Sequence, residues 1–410
     1  MSIVAAHAQG KVVVDKIFGA SAKAQQAIGQ FGKDKVINGT QGVLLDDREN
    51  LVCLPTVEKV LRNLPMNDLI GYAPIKGLPD FLHDVIELTF AEHKPNAYIE
   101  GIATAGGAGA LHHAIWNYSS IGDTVLTTDW FWSPYGVLCT EALRKLDIFT
   151  LFDEQARFNL EDFAHKTAQL LQRQDNLLVI LNTPAHNPTG YSLSDREWDG
   201  VLETCKGYAR NKNKKITLVV DAAYIDYIRN QEGRKFFEKF TGLPENILVI
   251  VAVSMSKSFT MYGQRTGAMI GISSDRETIE EFVQVNEYTS RATWSNVNRG
   301  AMKTLSTIYR DKDLLQAVEN ERKQFVEIIG RRAEIFIEEA KQIKLKTLPY
   351  VAGFFLTIPV DNAEVICNKL TAENIFLVSM DKGLRIAVCT IPTSKIFGLA
   401  AAIKKVIAVS

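Results

Sequence analysis

A lysine, Lys257, stands four residues beyond the apolar run 247–253, in a stretch that begins Ser254-Met-Ser-Lys-Ser and continues to Arg265. An ammonium group delivered off the end of a buried strand loses hydration. Burial can lower a lysine pKa by up to about 3 to 5 units, which frees a neutral amine. Such an amine is a nucleophile toward carbonyl carbon, the state in which Schiff-base lysines act. Ser254, Ser256 and Arg265 surround it with donors suited to a dianion. Amine and donors together point to an aldehyde that carries a phosphate.

The ends of the other apolar runs are equally polar. After 98–105 comes a glycine-rich turn containing Gly106, Gly107 and Gly109 that enters a helix. Its backbone N–H groups and positive dipole end favour an anion, although a tight strand-to-helix connection needs the same glycines. After 177–182, two prolines and Gly190 fix an extended loop, and Asn187 is held out of the helical region by Pro188; a turn-forming Asn is the alternative. After 216–220, Asp221 ends a strand and Tyr224 follows three residues on; a strand-end Asp also serves as a helix N-cap. The strand ends thus offer an amine for an aldehyde, a carboxylate for a pyridinium N–H, a phenol and an amide for a phenolate oxygen, and donors for a phosphate. These are the needs of pyridoxal 5′-phosphate (PLP), which acts as the electron sink while the protein supplies orientation and charge.

Such residues require a sheet to present them. Short Val/Ile/Leu-rich runs at 98–105, 124–129, 148–152, 177–182, 216–221, 247–253 and 268–272 alternate with longer helical patterns. Near-continuous apolar runs suit strands covered on both faces, the mark of a parallel sheet. The expected fold is α/β, with a large domain built on a mostly parallel, doubly wound seven-stranded sheet. In such sheets ligands bind beyond the carboxyl ends of the strands. After about residue 310 the pattern changes. Leu315, Val318, Phe325, Ile329, Phe336, Ala340 and Ile343 mark a long amphipathic helix, followed by strand-like 354–358, helical 363–373 and strand-like 384–388. The expected division is a large PLP-binding domain at 47–310 and a small α+β domain formed by 1–46 and 311–410.

Composition bounds the partners. The 410 residues are 46% hydrophobic and 23% charged, ordinary for a folded globular chain. Forty-six Lys and Arg against 47 Asp and Glu leave a net charge of -1, so neither nucleic acid nor a membrane surface is expected as partner. Five scattered cysteines without a C-x-x-C spacing imply neither a disulfide framework nor a zinc site. The adjacent His112 and His113 do not share a helix face, and no metal is expected. A start without a basic leader, and no apolar stretch near the roughly 18 residues of a membrane span, make a cytoplasmic location the expectation.

Seven motifs stand in order along the chain: Tyr72-Ala-Pro-Ile-Lys-Gly, Gly106-Gly-Ala-Gly, Trp132-Ser-Pro-Tyr135, His186-Asn-Pro-Thr-Gly, Asp221-Ala-Ala-Tyr, Ser254-Met-Ser-Lys with Arg265, and Gly383-Leu-Arg385. In that order they resemble the aspartate aminotransferase superfamily, PLP enzymes of fold type I and class I/II, over nearly the whole chain. The resemblance implies that Lys257 bonds the cofactor aldehyde and shuttles the substrate Cα proton. It implies that Asp221 keeps the ring nitrogen protonated, and that Asn187 and Tyr224 bind the phenolate oxygen. Trp132, with Trp130 as competing candidate, would stack on the ring. Gly107, Ala108, Ser254 and Arg265 would hold the phosphate, joined by Tyr72 from a second subunit, so that a homodimer shares its active sites. Arg385 would clamp the substrate α-carboxylate, and Gly42, Trp132 and Asn187 would border the substrate. Arg291 occupies the place of an arginine that, donated by the other subunit, meets the distal carboxylate of aspartate or glutamate.

Three departures bear on specificity. Ala108 replaces a small hydroxyl residue of the phosphate turn, Val297 and Asn298 replace a pair of prolines, and Tyr135 stands where a histidine is frequent. The expected reaction is transfer of an amino group from an L-amino acid, aspartate or aromatic, to a 2-oxo acid such as 2-oxoglutarate. A β-lyase or decarboxylase on the same fold is the alternative. A sensor fused to a DNA-binding module is a further one, for which no basic helix-turn-helix segment is seen.

Overall fold

The computed structural model describes residues 2–12, 15–229 and 231–410. By its internal contacts the chain forms two compact units, a larger one of 50–331 and 348–355 and a smaller one of 1–49, 332–347 and 356–410. The sequence reading set residues 311–331 in the second unit, yet here they belong to the first. The amphipathic helix Lys312–Gln342 is continuous, and its early turns bond within the larger unit. Glu321 accepts from the backbone N–H (3.1 Å) and hydroxyl (2.6 Å) of Thr56, and Arg322 donates to the Ser258 carbonyl at 3.0 Å.

Seven strands form the sheet of the larger unit: β1 Tyr98–Thr104, β2 Thr124–Thr128, β3 Lys145–Phe149, β4 Asn176–Asn182, β5 Lys215–Asp221, β6 Ile247–Ser254 and β7 Gly267–Ser273. Their spatial order is β1-β7-β6-β5-β4-β2-β3. All neighbours are parallel except β7, which runs antiparallel to both β6 and β1. Strand β3 begins three residues before the apolar run at 148–152 that was read as the strand. It is an edge strand, with Lys145 and Ile148 exposed and with Lys145 and Asp147 as polar alternates, so no continuous apolar run marks it.

Every residue of β6 and β7 is buried. Leu178, Ile180, Val219, Ile250 and Met269 share a cluster with Leu111 and Ile115 of the helix Gly106–Tyr118 and with Phe282 of the helix Arg276–Thr293. Their equally buried neighbours Leu177, Val179, Leu218, Val249 and Ile270 point to the opposite face, because successive strand side chains alternate. Helices Leu160–Leu171 and Asp195–Ala209 pack against the sheet there. The second of these opens on a capping box, Ser194 accepting from the Glu197 N–H while the Glu197 carboxylate accepts from the Ser194 N–H.

In the smaller unit a three-stranded sheet runs in the order Val378–Met380, Gly383–Ala387, Phe355–Pro359, and Ile37–Asn38 pairs in parallel with Ile375–Phe376. Arg332 is fully buried. It donates to the carbonyls of Leu45, Val388 and Cys389 and to the Asp47 carboxylate, tying the early and late segments of this unit together. No helix among the described residues is long and apolar enough to cross a membrane.

Ile250 sits at the centre of β6 with no exposed surface. Ile250→Ala should therefore lower the unfolding free energy by about 2 to 5 kcal/mol, measured by denaturant titration; a loss under about 1 kcal/mol would contradict this packing.

Candidate active site

The parallel register aligns the ends of three strands. Asn182 of β4 pairs with Asp221 of β5, and Asp221 with Ala252 of β6, two residues before Ser254. The Asp221 carboxylate is 5% exposed. Its Oδ2 accepts from the Tyr135 hydroxyl at 2.6 Å and its Oδ1 from the Ala223 N–H at 3.3 Å. Burial pushes the Asp221 carboxyl up, while the Tyr135 and Ala223 hydrogen bonds and the positive charge of Lys257 pull it back part of the way. Burial also holds the Tyr135 phenol well above its ordinary range, with the adjacent Asp221 charge adding to the effect. Tyr135 therefore serves Asp221 only as a donor. The Trp132 ring meets Tyr135 edge-on at 5.7 Å, and Trp130 is buried.

The loop that follows β4 is bound back to the strand ends. Asn182 Nδ2 donates to the Asp221 carbonyl at 2.7 Å, and its Oδ1 accepts from the Asn187 N–H at 2.6 Å. His186 lies 2.8 Å from the Thr189 hydroxyl and is buried, which pushes its pKa down to about 3 and keeps the ring neutral. Both Asn187 and Tyr224 are buried beside this edge.

Lys257 is carried not on the strand but on a one-turn helix, Met255–Ser258, that caps β6. Two hydrogen bonds fix that turn from below. The Tyr227 hydroxyl donates to the Lys257 carbonyl at 3.1 Å, and Arg322 donates to the Ser258 carbonyl at 3.0 Å. Lys257 Nζ faces the rings of Tyr262, Tyr224 and Phe354.

Across from it the helix Gly106–Tyr118 begins without a side-chain cap, which leaves its first N–H groups for another acceptor. Gly106 has φ +71°, and a Cβ there would lie 2.6 Å from Arg265 Nη2. A Cβ on Gly107 would touch the Ser254 Cβ at 3.4 Å. Glycine at 106 lets the Arg265 guanidinium approach the helix N-terminus, while Gly107 faces Ser254 at ordinary contact distance, with Ala108 in the same first turn. Arg265 adopts a left-handed conformation, φ 49°, and donates to the Ser256 hydroxyl and the Tyr262 carbonyl, both at 3.1 Å. Ser254 Oγ accepts from the Ser256 N–H at 3.3 Å. Farther along, His113 holds the helix in place by stacking on Trp294 at 4.3 Å and lying 3.1 Å from the Ser290 hydroxyl.

The structure thus gathers Gly107, Ala108, Ser254, Lys257, Arg265, Asp221, Tyr224, Asn187 and, through Tyr135, Trp132 beyond the carboxyl ends of the parallel strands. Tyr72 lies on the surface, 89% exposed. Arg291 is also exposed, in the last turn of Arg276–Thr293, where it donates to the Ser295 hydroxyl at 2.6 Å. Gly42 and Arg385 lie in the smaller unit, where Arg385 is buried and donates to the Thr40 carbonyl at 2.6 Å. Tyr135, Tyr262 and Phe354 were given no role by the sequence reading. Tyr135 closes the Trp132-Ser-Pro-Tyr135 motif, and Tyr262 stands five residues after Lys257 in the same polar stretch.

Residues 34–403 match the family model described as "Aminotransferase class I and II". The chain is 39% identical to an aminotransferase from Anaerococcus prevotii whose crystal structure superposes with a TM-score of 0.96 over 98% of both chains. It is 24% identical to a mitochondrial aspartate aminotransferase of Schizosaccharomyces pombe over 69% of this chain and 63% of that protein, so the alignment spans less than two thirds of the relative's length. An aromatic-amino-acid aminotransferase from Burkholderia pseudomallei, covalently bound to pyridoxal phosphate, has the same fold, with a TM-score of 0.79 over 98% of this chain and 100% of that one at 21% identity.

Tyr135→Phe removes one of two hydrogen bonds to a buried carboxylate, a contact that contributes about 1.5 to 3 kcal/mol when the acceptor is charged. Asp221 already has a raised folded-state pKa, so its ionisation works against folding above the ordinary carboxylate range, and loss of the Tyr135 donor raises that pKa further. The variant should be destabilised by that amount near neutral pH in the chain free of ligands. The deficit should shrink as pH falls through the folded pKa of Asp221. Denaturant titrations at several pH values check this; a deficit independent of pH would contradict it.

Proposed function

Because the chain belongs to the class I and II aminotransferases, a family of PLP-dependent enzymes, we propose that it moves the amino group of an L-amino acid, aspartate or aromatic, to a 2-oxo acid such as 2-oxoglutarate. The transfer runs as two half-reactions with ping-pong kinetics. The observation that carries this reading is the convergence of Lys257, Asp221 and the glycine turn of Gly106 and Gly107 with Ser254 and Arg265 beyond the carboxyl ends of the parallel strands. The names of the relatives, aspartate and aromatic aminotransferases, support the choice of donors.

The residues present fit pyridoxal phosphate. An uncapped helix N-terminus with an adjacent guanidinium suits a phosphate dianion. A carboxylate that burial has made costly gains a partner in a pyridinium N–H. When bound, the cofactor supplies the electron sink that lets a bond to the substrate Cα break. Lys257 holds the aldehyde, and its Nζ takes up and returns the Cα proton. Asp221, oriented by Tyr135, keeps the proton on the ring nitrogen. Asn187 and Tyr224 donate to the phenolate oxygen, and Trp132 covers a ring face.

Gly107 and Ala108 contribute backbone N–H groups, and Ser254 and Arg265 side-chain donors, to the phosphate. Exposed Tyr72 joins them from the second subunit of a homodimer. Arg385 clamps the α-carboxylate of the substrate beside Gly42, and Arg291 of the other subunit receives a distal carboxylate. The exposure of Tyr72 and Arg291 supports this reading, because neither is committed to the site of its own chain.

Purified protein given L-aspartate and 2-oxoglutarate should form glutamate. Ammonia or pyruvate without glutamate would instead place it among the lyases and decarboxylases of the fold. Lys257→Ala should abolish turnover, and retained amino transfer would refute the assignment. Arg291→Leu should reduce kcat/KM for aspartate and glutamate roughly tenfold to a hundredfold, the worth of a charge-assisted contact of about 1.5 to 3 kcal/mol, and leave phenylalanine unaffected. An equal loss for phenylalanine would show that Arg291 does not read the distal carboxylate.

A further inference from the structure

Lys257 Nζ lies 4.8 Å from the ring centroid of Tyr262, 5.8 Å from that of Tyr224 and 5.9 Å from that of Phe354. The walls are braced. Tyr224 and Phe354 meet edge to face at 5.2 Å, and Tyr227 supports Phe354 from a second side at 4.7 Å. The same Tyr227 fixes the Lys257 carbonyl with its hydroxyl, so one residue braces both the backbone that carries the amine and one of the rings around it. All three centroids lie within about 6 Å, the range over which a ring face attracts a cation, with Tyr262 nearest. Rings arranged in this way are a means of recognising an ammonium ion.

We propose that Tyr224, Tyr262 and Phe354 form an aromatic box that receives the Lys257 side chain when its amine is charged, in the chain free of cofactor and after Nζ has taken up the Cα proton. The proposal rests on the reading of Lys257 as the aldehyde-binding lysine. Ring faces attract the charged form and give the neutral amine little, because the attraction is between the ring quadrupole and a cation. The box therefore offsets part of the loss of hydration at the strand end and favours the charged form of Nζ over the neutral one. It also gives the displaced side chain a defined resting place, so that a long and flexible lysine stays poised beside the strand ends. Tyr262 and Phe354 act in this as positioning residues.

Other charged and titratable groups surround the same turn. Asp221 acts on Lys257 from the end of β5. Asp226, ion-paired to Arg234 and Arg322, lies beneath the turn together with Tyr227. Arg265 follows on the next loop, bonded to Ser256. All of these remain in place when Tyr262 is replaced, so a change at that ring reports the ring.

Only the neutral amine acylates, so trace labelling with acetic anhydride across a pH series reads the protonation midpoint of Lys257. The full-length protein is freed of cofactor with hydroxylamine, which takes the aldehyde from the lysine as an oxime that is then dialysed away; the protein is labelled and the modified Lys257 peptide is quantified by mass spectrometry. Tyr262→Leu should lower the midpoint by roughly half to one pH unit, which appears below the midpoint as a threefold to tenfold gain in labelling. Tyr262→Phe retains the ring and should leave the midpoint in place. Phe354→Leu tests a second wall and should shift it in the same direction. An unchanged midpoint in Tyr262→Leu would overturn the box, as would an equal shift in Tyr262→Phe, which would assign the effect to the hydroxyl. If the unsubstituted protein transfers no amino group, the functional reading fails by itself, and the labelling midpoints still decide whether the box exists.

Discussion

Parallel pairing of β5 with β6 sets Asp221 opposite Ala252, and the rest of the site depends on that register. A slip by one residue would send every side chain of β6 to the other face of the sheet. The fully buried run from Ile247 to Ser254 resists such a slip, since both faces are packed. With the register fixed, the one-turn helix after Ser254 has little choice about where it presents Lys257. The antiparallel return of β7 adds a second constraint. Gly267 pairs with both Ser254 and Thr104, and a Cβ on it would lie 2.3 Å from the Val253 carbonyl oxygen and 2.9 Å from the Gly106 carbonyl carbon. Close backbone approach at that point brings the glycine turn, the lysine turn and Arg265 together.

Charge balance gives the site its character. Asp221 is buried with a single phenol and a backbone N–H as donors, a poor exchange for water. Lys257 supplies positive charge nearby and relieves part of that cost. The concavity formed by the glycine turn and Arg265 is by contrast positive and suited to an anion. A ligand with a cationic end and a dianionic end, joined by a flat ring, would satisfy both regions at once. That is the electrostatic argument for pyridoxal phosphate, and it holds independently of the family to which the chain belongs.

Much of this was legible because each polar cluster follows an apolar run. Lys257, Asp221 and the turn at Gly106 could be located from the sequence since buried strands leave a strong signal and their ends are short. The edge strand Lys145–Phe149 begins three residues before the apolar run because Lys145 and Asp147 interrupt its apolar pattern and Phe149 alone of its five residues is buried. Contacts made across long chain separations left no trace. Tyr135 reaches Asp221 across 86 positions, and although it closes the Trp132-Ser-Pro-Tyr135 motif, nothing local names Asp221 as its partner. Phe354 comes to Lys257 by a return of the chain at 348–355 that no periodicity announces. Tyr262 was in plain view, but its ring is turned toward the amine only by the 3-10 turn Tyr262–Gln264 and the left-handed Arg265 that follows it.

The central claim is that Lys257 is the residue to which pyridoxal phosphate bonds. Reduction of the cofactor-loaded protein with borohydride makes any such bond permanent, and digestion followed by mass spectrometry locates it. The account predicts a pyridoxyl group on the peptide containing Lys257 and on no other lysine. A pyridoxyl group on another lysine, or none on any, would contradict it.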